Sequence, residues 1–156
     1  MRSSWRWRAA RRLRVLRLVH SPGDLALLAR IALVAAVAPA LVRLKLSSLE
    51  RLLEPRQAPA DAGAGRAEKI VTFVDGALEA GRPLLRPGCL TRGVTAYYFL
   101  RRAGVDVSLR FGIGQMGKDL AGHCWLEKDG EPYMEPEESR GVFTAVHTMP
   151  SAGGGP

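Results

Sequence analysis

The chain has 156 residues, 47% of them apolar and 24% charged, which fits one globular domain with added segments and excludes a disordered chain. Its net charge of +8 raises nucleic acid as a partner, but seven arginines lie before residue 20, and no zinc finger, RNA-recognition signature or basic heptad array accompanies them. Two cysteines outside any CxxC pair exclude a disulfide framework and suit a reducing compartment, and no second ligand pair stands at zinc-site spacing.

Residues 1–24 form a basic arm. Arg2, Arg6, Arg8, Arg11, Arg12, Arg14 and Arg17 alternate with Trp5, Trp7 and aliphatic residues, without an acid, a pattern expected of an interfacial helix or a frayed arm. Ser21-Pro22-Gly23-Asp24 reads as a turn and cap. Leu25 to Val42 is apolar except for Arg30 and contains Pro39. A packed or membrane-surface helix is the first expectation for it, a single span the second and a signal peptide the last. The leucines of Leu41 to Leu53 continue at helical spacing until Pro55, which gives a helical region over 25–55. Residues 56–66 read as a linker, and Arg66 to Glu79 as a helix with Ile70, Phe73, Val74, Ala77 and Leu78 on one face.

Arg86-Pro87-Gly88 forces a turn immediately before Cys89, and Leu90 to Arg102 has helical periodicity with Gly104 at its stop. Cys89 therefore opens a helix, where unpaired backbone N–H groups and the positive dipole end favour a thiolate. Gly93 and Ala96, on the same face, leave room for a close neighbour. Val105 to Gly114 alternates as a strand, with a loop at Gln115 to Asp119. Ala121 to Lys128 is a second strand, with His123, Trp125 and Glu127 on one face and Cys124 and Leu126 on the other. Glu131 to Glu135 is a third. The domain that follows the linker, from residue 67, is expected to close at 146, with 147–156 as a flexible tail. The expectation is an α+β fold in which a central helix carrying the cysteine packs on a small antiparallel sheet carrying the histidine.

A cysteine on a helix start and a histidine on a later strand have the order a thiol nucleophile and its base require. The third member depends on register. A two-residue Asp129-Gly130 loop sets Glu135 across from Cys124, on the wrong face. A three-residue loop sets it opposite His123. Glu137, beyond Pro136, is the reserve. Cys124 is read as core, His20 and His147 as residues of the arm and tail, and Trp125 as either groove lining or core.

With these residues in place, Cys89-Leu90-Thr91-Arg92, the Leu100-Arg101-Arg102-Ala103-Gly104 exit and Gly122-His123-Cys124-Trp125-Leu126-Glu127 leading to Asp129-Gly130 resemble the bacterial transglutaminase-like cysteine peptidases of lasso peptide biosynthesis over roughly residues 67 to 136. That resemblance implies a cytoplasmic enzyme without cofactor that removes the leader of a ribosomally made precursor. Cys89 would be the nucleophile, His123 the general base and then acid, and Glu135 would stand where the family more often has aspartate. Helices rather than a winged module precede Cys89, which implies the stand-alone form, with a small leader-recognition protein as partner and an ATP-dependent lasso cyclase acting next. Membrane contact through residues 1–42 is an added expectation, as are two other function classes: a transglutaminase-like acyltransferase and an inert binding module.

Overall fold

A capping box starts the first helix. Ser21 Oγ accepts the Asp24 N–H at 3.2 Å, and the Asp24 carboxylate accepts the Ser21 N–H in return, so two of the helix's orphan donors are satisfied. The coordinates are a computed structural model and describe residues 15, 18–55, 63–82, 88–116, 119–134 and 143–150; most of the basic arm lies outside the described residues. Helix α1, Pro22–Leu41, keeps Pro39 in its last turn, where the chain is about to leave the helix anyway. Asp24 also pairs with Lys69 at 2.6 Å, which ties the start of α1 to α3, and that pairing, together with the His20 N–H and the Ser21 side chain, holds its carboxyl well below the usual carboxylate range.

The expected continuous helix through Leu53 is broken. Residues 42–45 turn, and α2 is the separate Leu46–Leu53. The leucine spacing carried no stop signal, but the break lets Leu49 and Leu53 both reach the core. Helix α3 is Ala64–Ala80, beginning inside the stretch read as linker, and it buries the apolar face expected of it. Val15 packs over Gly76, where an added Cβ would come within 2.1 Å of Val15 Cγ2.

Helix α4, Cys89–Arg102, is the centre of the molecule: α1 and α3 pack on one side of it and the sheet on the other. Gly104 ends it with φ +78, and the Val105 N–H returns to the Leu100 carbonyl at 3.0 Å, a left-handed C-terminal cap that glycine adopts without strain. Tyr97 is fully buried and donates to Glu54, which also accepts from Arg101 at 3.1 Å. Burial and the Glu54 carboxylate push the Tyr97 phenol well up, so it stays a donor and fastens the end of α2 to α4.

The sheet is antiparallel, in the order β3-β2-β1-β4, with β1 Ser108–Met116, β2 Asp119–Lys128, β3 Glu131–Pro132 and β4 Phe143–Met149. The fold class is α+β, as expected. Several boundaries differ from the sequence reading. Val105 and Val107 are buried beneath α4 without joining the ladder, and β1 runs to Met116. The third strand stops at Pro132, which cannot donate to a ladder. His147 to Met149, read as flexible tail, are strand residues of β4, and Met149 is fully buried. Phe143, His147 and Met149 recur in a β-branched run, the signal that could have shown this strand.

Candidate active site

Gly88, extended and with no side-chain cap, leads into Cys89, so the first N–H groups of α4 stay available around the sulfur. Strand β2 passes beside this helix start. Among the described residues β3 pairs only with Glu127 and Lys128, and at Cys124 the start of α4 meets the edge of β2. Buried Cys124 places its Sγ 3.2 Å from the Cys89 carbonyl oxygen. This approach needs Gly93, one turn along α4, since a Cβ there would lie 2.6 Å from Cys124 Sγ and 3.0 Å from Leu109 Cδ1.

Meeting the edge of β2 rather than one of its faces lets Cys89 reach two consecutive residues whose side chains point to opposite sides. Its thiol is lowered to about 5, first by hydrogen bonding from the Cys124 thiol, against the cost of partial burial, then by the Cys124 backbone N–H and by the hydrogen bond and charge of His123. At neutral pH Cys89 is a thiolate. Because this value lies below the ordinary thiol value of about 8.5, the stability that ionised Cys89 contributes is present in full above that ordinary value and is lost as pH falls through about 5.

His123 lies on the sheet face away from α4, in register with Gly112. Its ring stacks on Trp125 at 6.0 Å and meets Phe143 at 4.8 Å, so Trp125 lines the site. Its Nε2 is buried and without a hydrogen-bond partner among the described residues. Next to this aromatic group, Arg110 binds Glu127 with two hydrogen bonds, of 2.7 and 3.0 Å, and reaches Thr148 Oγ1 at 2.7 Å, which fixes β1, β2 and β4 together on that face. Gly112 sits beneath Trp125: a Cβ would come 2.6 Å from the indole and 2.8 Å from the Thr144 carbonyl. Gly112→Ala is expected to destabilise the fold by about 1–3 kcal/mol through overpacking, measured by urea unfolding, while Cys89 remains reactive in the folded fraction.

The structure thus brings Cys89 and His123 together. Glu135 and Glu137 lie outside the described residues. The hairpin adopts the two-residue alternative: Lys128 pairs Glu131, with Asp129 and Gly130 at φ 53 and 85, the positive angles of a type I′ turn. The register that would have set Glu135 opposite His123 is therefore not the one formed. The ladder itself ends at Pro132, and Met134, two residues on, has φ 51. Sequence reasoning also passed over three contributors. Cys124 is core, as expected, but it is in addition the first cause of the low Cys89 pKa. Phe143 walls His123 from a strand that had not been anticipated. Arg92 joins the site's elements, donating to Asp75 on α3 and to the Met134 carbonyl, each at 2.8 Å. No group of three His, Cys, Asp or Glu residues among the described residues is placed to hold a metal ion.

Cys124→Ala is expected to raise the midpoint of Cys89 alkylation from about pH 5 toward the ordinary thiol range, read by mass spectrometry of iodoacetamide adducts across pH. Cys124→Ser, which keeps a donor, should move it less.

The family model of the transglutaminase-like superfamily matches residues 25–148, a stretch that includes α1 and α2 as well as Cys89 and His123. No curated protein and no solved structure matches the chain.

Proposed function

Because the chain belongs to the transglutaminase-like superfamily, whose members include cysteine proteases and acyltransferases, we propose that it is a cysteine peptidase that removes the leader from a lasso peptide precursor. The observation that carries this reading is the position of Cys89 at the start of α4, within hydrogen-bonding reach of His123 from β2. The finer assignment to lasso precursors rests on the Cys89-Leu90-Thr91-Arg92 and His123-Cys124-Trp125 motifs.

In this reading the Cys89 thiolate attacks the carbonyl carbon of the last leader residue. The tetrahedral oxyanion is held by the Cys89 backbone N–H and a second donor; one such donor typically contributes about a hundredfold or more. Protonated His123 gives its proton to the departing core amine, the C–N bond breaks, and a thioester remains on Cys89. Neutral His123 then takes a proton from water, whose oxygen displaces the sulfur and releases the leader as a carboxylate. The freed amine is the group that an ATP-dependent cyclase would join to a side-chain carboxylate. A small leader-binding protein, acting in trans, would present the precursor.

The test combines the protein, a leader-recognition partner and the cognate precursor, with mass spectrometry of the products. Free leader and core are the expected result. If leader appears only as an adduct of an added primary amine, the acyltransferase reading replaces the peptidase, because the same thioester has then met nitrogen rather than water. No thioester and no cleavage would leave the inert binding module.

A further inference from the structure

Helix α1 is apolar around its whole circumference, a composition that belongs to helices covered on all sides, yet only one of its sides is covered. Ile31, Ala35 and Ala38 face the core, while Leu25, Ala29, Leu33, Ala36, Val37 and Ala40 form a continuous exposed stripe; Leu33 is 65% exposed and Val37 42%. Beside the stripe, between α1, α3 and α4, a cleft of about 390 Å³ has Leu27, Val34 and Ile70 in its wall together with Arg30, Arg66 and Arg102. Among the described residues no carboxylate lines it. Arg102 lies on the Tyr98 ring at 3.6 Å and donates to the Leu53 carbonyl at 2.6 Å, and neither Arg30 nor Arg66 meets an acidic side chain among the described residues. The charge of the whole segment agrees. Residues 1–53 hold eleven of the 23 basic residues and two of the 15 acidic ones, so this third of the chain is +9 and the remainder −1.

We propose that the outer side of α1 and the adjoining arginine-lined cleft dock on an anionic phospholipid bilayer, with Arg30 and Arg66 taking lipid phosphates and the apolar stripe entering the interface. A stripe without hydrogen-bonding groups, flanked by cations, matches a surface that is apolar beneath and anionic at its rim. The sequence just before α1 has the same character, with seven arginines, Trp5 and Trp7 in its first 19 residues, and tryptophan favours that boundary. Alone by length and composition, α1 could cross a membrane. It lies on the surface instead, because crossing would tear Ile31, Ala35 and Ala38 out of the core, break the Asp24–Lys69 pair and place Arg30 in mid-bilayer. Helix α1 packs on α3 and α4, and α4 in turn packs on β1 and β2, so the docking surface does not use the strand that carries His123. The inference does not rest on the peptidase reading.

Co-sedimentation of the full chain with vesicles tests it, using phosphatidylcholine alone and phosphatidylcholine with 30–40% phosphatidylglycerol as the two arms. Binding is expected to the anionic vesicles, to weaken as salt rises, and to be absent from the zwitterionic ones. The double variants Leu33→Glu/Val37→Glu and Arg30→Glu/Arg66→Glu should each weaken it at least ~10-fold, with iodoacetamide labelling of Cys89 at pH 6 showing that each remains folded. Absence of binding at physiological salt, or binding unchanged in the Leu33→Glu/Val37→Glu protein, overturns the proposal. So does preferential binding of a soluble acidic amphipathic peptide that the vesicles fail to displace, which would assign the surface to a protein partner.

Discussion

Cys89→Ala is expected to abolish precursor cleavage, lowering the rate by on the order of 10⁵–10⁶, and His123→Ala by a comparable factor, with the double variant no worse than either single one. The two substitutions remove parts of one machine, so their effects do not add. They should separate in a second measurement. Hydrogen bonds from Cys124 are the first cause of the low Cys89 pKa, ahead of those from His123, so the His123→Ala protein keeps much of its thiolate and still alkylates well below the ordinary thiol range. What it loses is the proton for the leaving amine. A variant that alkylates readily yet does not cleave would locate the role of His123 in proton delivery rather than in making the nucleophile. The pH profile follows from the same assignment: activity should fall on the acid side near pH 5, as the thiolate is protonated. Cleavage by His123→Ala within tenfold of the parent would remove His123 from the mechanism.

The sequence made the helix–strand pair legible because both signals are local. Pro87-Gly88 before Cys89 fixes where α4 can start, and alternation in 121–128 fixes which side of β2 each residue takes. It did not reveal how Cys89 reaches His123 while also contacting Cys124, since that depends on the edge of β2 meeting a helix start, a tertiary fact. Nor did it choose between the hairpin loops. Asp129-Gly130 suits both, and only the pairing of Lys128 with Glu131 decides. The break at residues 42–45 has no Pro or Gly to announce it; it is imposed by the core, which takes Leu49 and Leu53. In Arg92 the sequence showed a motif residue without its reason, which is a bridge between α3 and the loop after β3.

That bridge shapes the last prediction, on the group that orients His123. A buried Nε2 without a partner among the described residues is costly unless something accepts its proton, and the chain beyond Met134 carries Glu135 and Glu137. Arg92 holds the Met134 carbonyl at 2.8 Å, one residue before Glu135, while its other bond anchors it to Asp75. The loop is thereby tied to the same helix turn that carries Cys89. Glu135→Ala is expected to lower kcat by roughly 10⁴, the loss found when a triad acid is removed, with Cys89 still alkylating well below the ordinary thiol range, because the hydrogen bonds from Cys124 that lead its low pKa remain. Glu137→Ala should stay within a few-fold. Arg92→Lys should reproduce a fraction of the Glu135 effect, since a single ammonium cannot replace a fork that spans two acceptors. The reverse pattern, with Glu137→Ala crippled and Glu135→Ala intact, would move the role two residues on. Full activity in both would mean that no carboxylate from this loop reaches His123, and that stacking on Trp125 and Phe143 alone holds the ring.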